Sequence, residues 1–131
     1  MKVLLINGSP HEKGCTYTAL SLIAKELNDA GVDTEILHVG GKPVGGCIGC
    51  GGCASGSGCV FGGVVNEAIE KAKTADGFVF GSPVHYASAS GNMTSFMDRL
   101  AYAGGRYLAY KPAAICCSAR RAGTTTTLDQ L

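Results

Sequence analysis

Four cysteines stand close together as Cys47-x2-Cys50-x2-Cys53-x5-Cys59, with glycine filling much of the space between them. Thiolates at this spacing suit a [4Fe–4S] cluster or a four-cysteine zinc site. Without a metal, the same residues are free or reversibly oxidised thiols. Glycines between the ligands let the backbone wrap closely and direct N–H groups at sulfur. A second pattern is Gly8-Ser9-Pro10-His11-Glu12-Lys13-Gly14-Cys15-Thr16. Small residues and hydroxyls ahead of a helix offer free N–H groups and a positive dipole end, which suits a phosphate. Ser9, Thr16 and Thr18 can add hydroxyls there, and His11 or Lys13 charge; the plain alternative is a turn with a helix cap. The stretch is neither a Walker A loop nor G-x-G-x-x-G. A third pattern is Gly81-Ser82-Pro83-Val84-His85-Tyr86-Ala87-Ser88, where His85 and Tyr86 can flank a planar ring while backbone N–H groups meet its polar edge. Taken alone, His85 is more often a surface or satisfied histidine, and its position paired with the first loop is what favours the ring.

Other chemistry is excluded by spacing. Cys15 at a helix start would have a lowered pKa and suggests a phosphatase nucleophile. That loop needs Cys-x5-Arg, and the residue six after Cys15 is Ser21. A response regulator would cluster carboxylates after the first strand, where Asn7-Gly8-Ser9 has none. Cys116 and Cys117 read as core packing, and Asp98–Arg99 as a helix-surface or intersubunit polar contact.

These patterns must be positioned by elements. Val3–Ile6 and Gly77–Phe80 are short apolar runs ended by Gly/Ser/Pro turns, the signature of strands buried on both faces. Asp33–Val39 and Ala113–Cys117 supply two further strands. Helical spacing runs over Thr16–Ala30, Val64–Ala75 and Ser90–Ala103, and another helix opens at Thr124. Residues 40–63 hold eleven glycines and four cysteines with no regular period, so they form a loop. Strands alternating with helices give one α/β domain over residues 1–131, a doubly wound parallel sheet. Such sheets bind ligands where strand order reverses, between the ends of strands one and three. The first and third of the patterns above fall there. The expected order is 2-1-3-4-5 with the fifth strand missing, because the chain stops after opening its last helix.

Composition narrows the classes. The 131 residues fit a single domain. Eleven basic residues against ten acidic give a net charge of +1, with no basic stripe and no tryptophan, so a nucleic-acid partner is not expected. The early apolar run is far shorter than a membrane span or a secretory signal. The cytoplasm is therefore expected, and in that reducing compartment seven cysteines read as metal ligands or redox groups rather than disulfides.

Asn7-Gly8-Ser9-Pro10…Gly14-Cys15-Thr16, Gly81-Ser82-Pro83-Val84-His85-Tyr86 and Ser90-Gly91…Phe96-Met97-Asp98-Arg99 together resemble the NADPH-dependent FMN reductase family of flavodoxin-like proteins, along the whole chain. The family often carries Arg in place of His11 and Tyr in place of His85. The resemblance implies an FMN phosphate held by the first loop, through Ser9, His11, Cys15 and Thr16. It places the isoalloxazine against Pro83, Val84, His85 and Tyr86, and Ser118, Arg120 and Arg121 near its pyrimidine edge. NADH or NADPH would be the donor and a small molecule the acceptor. The cysteine spacing resembles the iron–sulfur flavoproteins, a branch of the same fold, in which Cys47, Cys50, Cys53 and Cys59 would ligate one [4Fe–4S] cluster. That branch implies an electron carrier working with a ferredoxin-like partner. A thiol-based redox or metal-sensing module is the reading from another class. By the same resemblance a homodimer or homotetramer is expected; the helix Ser90–Ala103, which carries Met93, Phe96, Met97 and Tyr102, reads either as its interface or as ordinary sheet-facing core.

Overall fold

The structure is a computed structural model that describes residues 1–131. Four strands form a parallel sheet: β1 (Lys2–Asn7), β2 (Asp33–His38), β3 (Gly77–His85) and β5 (Ala113–Ser118). Their order is β2-β1-β3-β5, with Leu5 opposite both Ile36 and Val79, and Phe80 opposite Ile115. A two-residue strand, β4 (Ser88–Ala89), folds back antiparallel on the end of β3. The helices are α1 (Cys15–Asp29), α2 (Val64–Ala72), α3 (Gly91–Gly104) and α4 (Thr124–Gln130).

Burial on both faces explains the continuous apolar runs. Leu4 and Ile6 of β1, with Phe78 and Phe80 of β3, point to one side and pack with α2 and α3. Leu5 and Val79 point to the other and pack against Leu20 and Ala24 of α1. Each such side chain withdrawn from water contributes about 1.5–3 kcal/mol. Helices on both faces make the sheet doubly wound, as the element alternation requires. No helix is long and apolar enough to cross a membrane.

Four expectations change. β3 does not end at Phe80 but runs on through Gly81-Ser82-Pro83 to His85, because β5 continues to pair with it as far as Pro83 opposite Ser118. The reversal falls instead at Tyr86-Ala87, whose φ values are +50° and +61°. β5 is half-exposed rather than buried: it is the sheet edge, Ile115 faces solvent, and Cys116 and Cys117 are only partly covered. Met93 and Phe96 lie wholly in the core beneath α3, so of the residues expected at an interface only Met97 and Tyr102 reach the surface. Finally, Arg99 is buried, not a surface partner of Asp98.

Candidate functional site

The C-terminal ends of β1 and β3 meet at one rim of the sheet, where buried polar groups tie three segments together. The Gly8 N–H donates to the Gly81 carbonyl at 2.8 Å. Ser90, the N-cap of α3, donates from Oγ to the Gly8 carbonyl at 2.6 Å and accepts from the Met93 N–H. Its own N–H donates to Ser82 Oγ at 2.9 Å. Beside it, Asn92 donates to the carbonyls of Gly40 and Lys42 and accepts from the Val44 N–H, which fixes where the Gly/Cys-rich loop leaves the sheet. A Cβ on Gly40 would stand 2.2 Å from the Ser9 carbonyl oxygen, so only glycine lets this segment lie against the first loop.

The first loop is organised from within. Asn7 accepts from the Ser9 N–H and donates to the Glu12 carbonyl, and Ser9 Oγ accepts from the His11 N–H. Ser9 is buried, while His11 and Cys15 are exposed. Gly14 precedes α1 and no side chain caps it. The first-turn N–H groups therefore keep their capacity for an anion. Thr16 turns inward, with its hydroxyl 2.9 Å from that of Ser118, which joins the first loop to the end of β5. Thr18 bonds back to the Gly14 carbonyl.

A pocket of about 390 Å³ opens at this rim, lined by Gly8, Pro10, His85, Ser90, Asn92 and Ser95 among others, nearly all polar or glycine. Its size falls in the range of small-molecule sites. His85 faces the pocket; Tyr86 stands fully exposed at the tip of the neighbouring hairpin, with Pro83 and Val84 half-covered behind it. That hairpin is braced by α4, where Gln130 accepts from Ser88 and from the Ala89 N–H, and Thr126 donates to the Ala87 carbonyl. Arg120 and Arg121 are exposed on the loop after β5. The uncapped α1 terminus, the polar pocket and the Tyr86-Ala87 hairpin lie at one rim, and free N–H donors beside a polar pocket of this size fit FMN.

The four cysteines line a separate, apolar cavity of about 140 Å³, with Ile48, Val60 and Phe61 in its wall. The loop is irregular apart from a 3₁₀ turn at Gly52–Ser55. No three acidic, histidine or cysteine side chains converge on a position for one metal ion, so a single zinc has no formed site. A [4Fe–4S] cluster asks for a different arrangement, one cysteine for each of four irons. Four thiols around one cavity, with the Gly49 N–H directed at Cys47 Sγ and the Arg99 Nε–H at Cys59 Sγ, fit that donor set. Burial pushes the Cys59 thiol up, but hydrogen bonds from Arg99 and from the Phe61 backbone outweigh it and leave the thiol below its ordinary range. At Cys116 burial and the neighbouring Cys117 act together and raise it.

Sequence reasoning missed Ser82, Ser90, Asn92 and Arg99 as site residues. Ser90 carried a signal, since Ser before a helical run is a preferred N-cap. Asn92 and Arg99 carried none, because their partners, backbone groups and the Cys59 sulfur, belong to an irregular loop about forty to fifty residues away in sequence.

Comparison with known proteins bears on family and fold. An iron–sulfur flavoprotein of Methanocaldococcus jannaschii is 33% identical over 99 residues, 76% of this chain and 51% of that protein. Another, from Archaeoglobus fulgidus, is 32% identical over 106 residues, 81% of this chain and 48% of its own length. The chain thus spans about half the length of the curated relatives it matches. Among solved structures, the apo form of the NADH:FMN oxidoreductase EmoB superposes with a TM-score of 0.69 at 22% identity, covering 98% of this chain and 63% of that one, a likeness of fold. The sequence profile of NADPH-dependent FMN reductases matches residues 1–131, and with that match the chain belongs to the NADPH-dependent FMN reductase family.

Proposed function

We propose that the chain is the FMN-binding domain of an NAD(P)H-dependent oxidoreductase. The observation that carries this reading is the polar pocket at the ends of β1 and β3, beside an α1 terminus that no side chain caps. When bound, FMN supplies a two-electron centre that takes reducing equivalents from NADH or NADPH and passes them to a small-molecule acceptor. The chain's own part is to bind and orient. First-turn N–H groups of α1 and Ser9 hold the phosphate, with His11 at hand for charge. His85 and the hairpin behind it set one wall for the ring. Ser118, tied to Thr16, and the exposed cations of Arg120 and Arg121 would stabilise negative charge on the pyrimidine edge. The reading includes a reducing, cytoplasmic setting, which seven free thiols support. It also includes a second copy of the chain, for which Met97 and the 75%-exposed Tyr102 leave an apolar flank on α3.

A specific observation favours a second layer to this function. Four thiols share one cavity that receives a buried cation, and the relatives in two archaea are named iron–sulfur flavoproteins. We infer that Cys47, Cys50, Cys53 and Cys59 hold a [4Fe–4S] cluster, which supplies single-electron exchange with a ferredoxin-like partner.

Anaerobic purification with flavin, iron and sulfide quantitation tests both layers, followed by titration with NADH and NADPH. FMN retained and bleached by either nucleotide supports the oxidoreductase reading. FMN that is never bound, or is bound and bleached by neither, overturns it. About four irons per chain supports the cluster.

A further inference from the structure

Arg99 is 6% exposed, yet it belongs to none of the five ion pairs. A buried charge without a counter-ion is costly unless its surroundings compensate it. Every group that does so here comes from the cysteine loop. Nε–H donates to Cys59 Sγ at 3.2 Å, Nη2 to the Gly62 carbonyl at 3.0 Å and Nη1 to the Gly45 carbonyl at 3.4 Å. The Phe61 ring lies 5.4 Å from the guanidinium carbon. One side chain on α3 therefore grips both ends of the loop, at Gly45 and Gly62, and places its charge against one of the four sulfurs. Arg106, in the short turn that follows α3, makes only one such contact, to the Gly56 carbonyl at 3.1 Å, and is exposed. A planar guanidinium serves a sulfur and two separated carbonyls at once, and an ammonium in its place keeps the charge beside the sulfur while reaching fewer of these points.

We propose that Arg99 is the positioning residue of the cysteine loop, holding it closed on α3 and supplying the hydrogen bond and positive charge at Cys59 that set the reduction potential of the cluster. This rests on the iron–sulfur reading. Hydrogen bonds to cluster sulfur and nearby charge are among the determinants of such potentials. Reduction adds negative charge, so a fixed cation at Cys59 favours the reduced state and raises the potential.

The test compares wild type, Arg99→Gln and Arg99→Lys, each reconstituted anaerobically with iron and sulfide and titrated for cluster potential by its visible spectrum. Arg99→Gln, without the charge, is expected to shift the potential to more negative values. Arg99→Lys keeps the charge and is expected to restore most of the shift, which a merely structural role would not do. A wild-type potential in Arg99→Gln overturns the proposal, as does equal loss in both variants. A second readout needs no metal: iodoacetamide labelling of iron-free protein at neutral pH, scored as the ratio of Cys59 to Cys53. Because Arg99 lies against Cys59 and holds the loop over it, that ratio is expected to rise several-fold in Arg99→Gln and to recover in Arg99→Lys. If Arg99→Gln does not fold, Arg99→Met, neutral and of similar length, takes its place in both readouts. If wild type takes up no iron, the cluster reading fails by itself. The labelling ratio then decides whether Arg99 serves Cys59, and an unchanged ratio ends the proposal.

Discussion

The hydroxyl of Ser90 sits between the Gly8 carbonyl and the Met93 N–H, so a single oxygen both caps α3 and fixes the first loop. Replacing Ser90 with Ala removes the cap and leaves a buried carbonyl without its donor, a loss of about 1–3 kcal/mol. Urea unfolding should show that loss, and FMN affinity should fall with it because Gly8 lines the pocket. Charge acts differently at Glu35, which accepts from Lys2 at 2.7 Å and from Lys71 at 2.5 Å. Those hydrogen bonds, Lys2 first, hold its carboxyl below the ordinary range against a burial effect that raises it. A lowered carboxyl contributes stability at pH values above its unfolded value and loses it as pH falls through the folded one. Lys71 is raised in turn, chiefly by Glu35, so its share fades only as the solution becomes strongly alkaline. Wild type should therefore exceed Glu35→Gln by up to about 1 kcal/mol at neutral pH, since the pair is only partly covered. The difference should begin to shrink below about pH 4 and vanish once the pH is under the lowered folded value. A constant difference across that acid range would show that packing, not charge, is what the glutamate provides.

Among the elements, β3 and its hairpin carry the most functional weight and were the hardest to read. Gly81-Ser82-Pro83 has the composition of a turn, and proline is uncommon inside a sheet. Here the pairing with β5 persists to Pro83, and the actual turn is Tyr86-Ala87, which has none of the glycine or asparagine that two-residue turns of positive φ favour. A non-glycine residue in that region costs about 1–2 kcal/mol. Ala87→Gly should remove the strain at one of the two positions. Part of the gain is offset by greater freedom of the unfolded chain, leaving a stabilisation of about 0.5 kcal/mol. Ala87→Val, β-branched at φ +61°, should destabilise by more than 1 kcal/mol. Denaturant midpoints of the two variants should move in opposite directions; movement in the same direction would mean that contacts with α4, not φ, govern the hairpin. The other elements were legible because their signals are local. The two-sided burial of β1 follows from Leu4-Leu5-Ile6, and the core face of α3 from Met93, Phe96 and Leu100. What was not legible was relational. Arg99 looks like a surface charge beside Asp98 until the loop folds over it, and no spacing within α3 announces a sulfur forty residues away.

At the scale of the whole molecule, the candidate flavin site is assembled from three loops that follow different strands, and the bonds between them are few. Gly8 meets Gly81 and Ser90, Thr16 meets Ser118, and α4 braces the β3–β4 hairpin. A ligand that bridges such loops binds the folded state alone and stabilises it by mass action, about 2.7 kcal/mol at a hundredfold excess over its Kd. For a domain of this length that corresponds to a rise in Tm of roughly 8–12 °C. The size of the rise should depend on the phosphate, because the uncapped α1 terminus is the anchor with the clearest chemistry. FMN should therefore raise the Tm of the iron-free protein well above the effect of the same concentration of riboflavin, which lacks the phosphate. Ser90→Ala should reduce the FMN effect without reversing that ranking. Equal shifts from FMN and riboflavin would mean that ring contacts along the hairpin hold the ligand and that the first loop is only a turn. A rise with FMN that high salt weakens far more than it weakens the riboflavin effect would tie the difference to charge at that terminus.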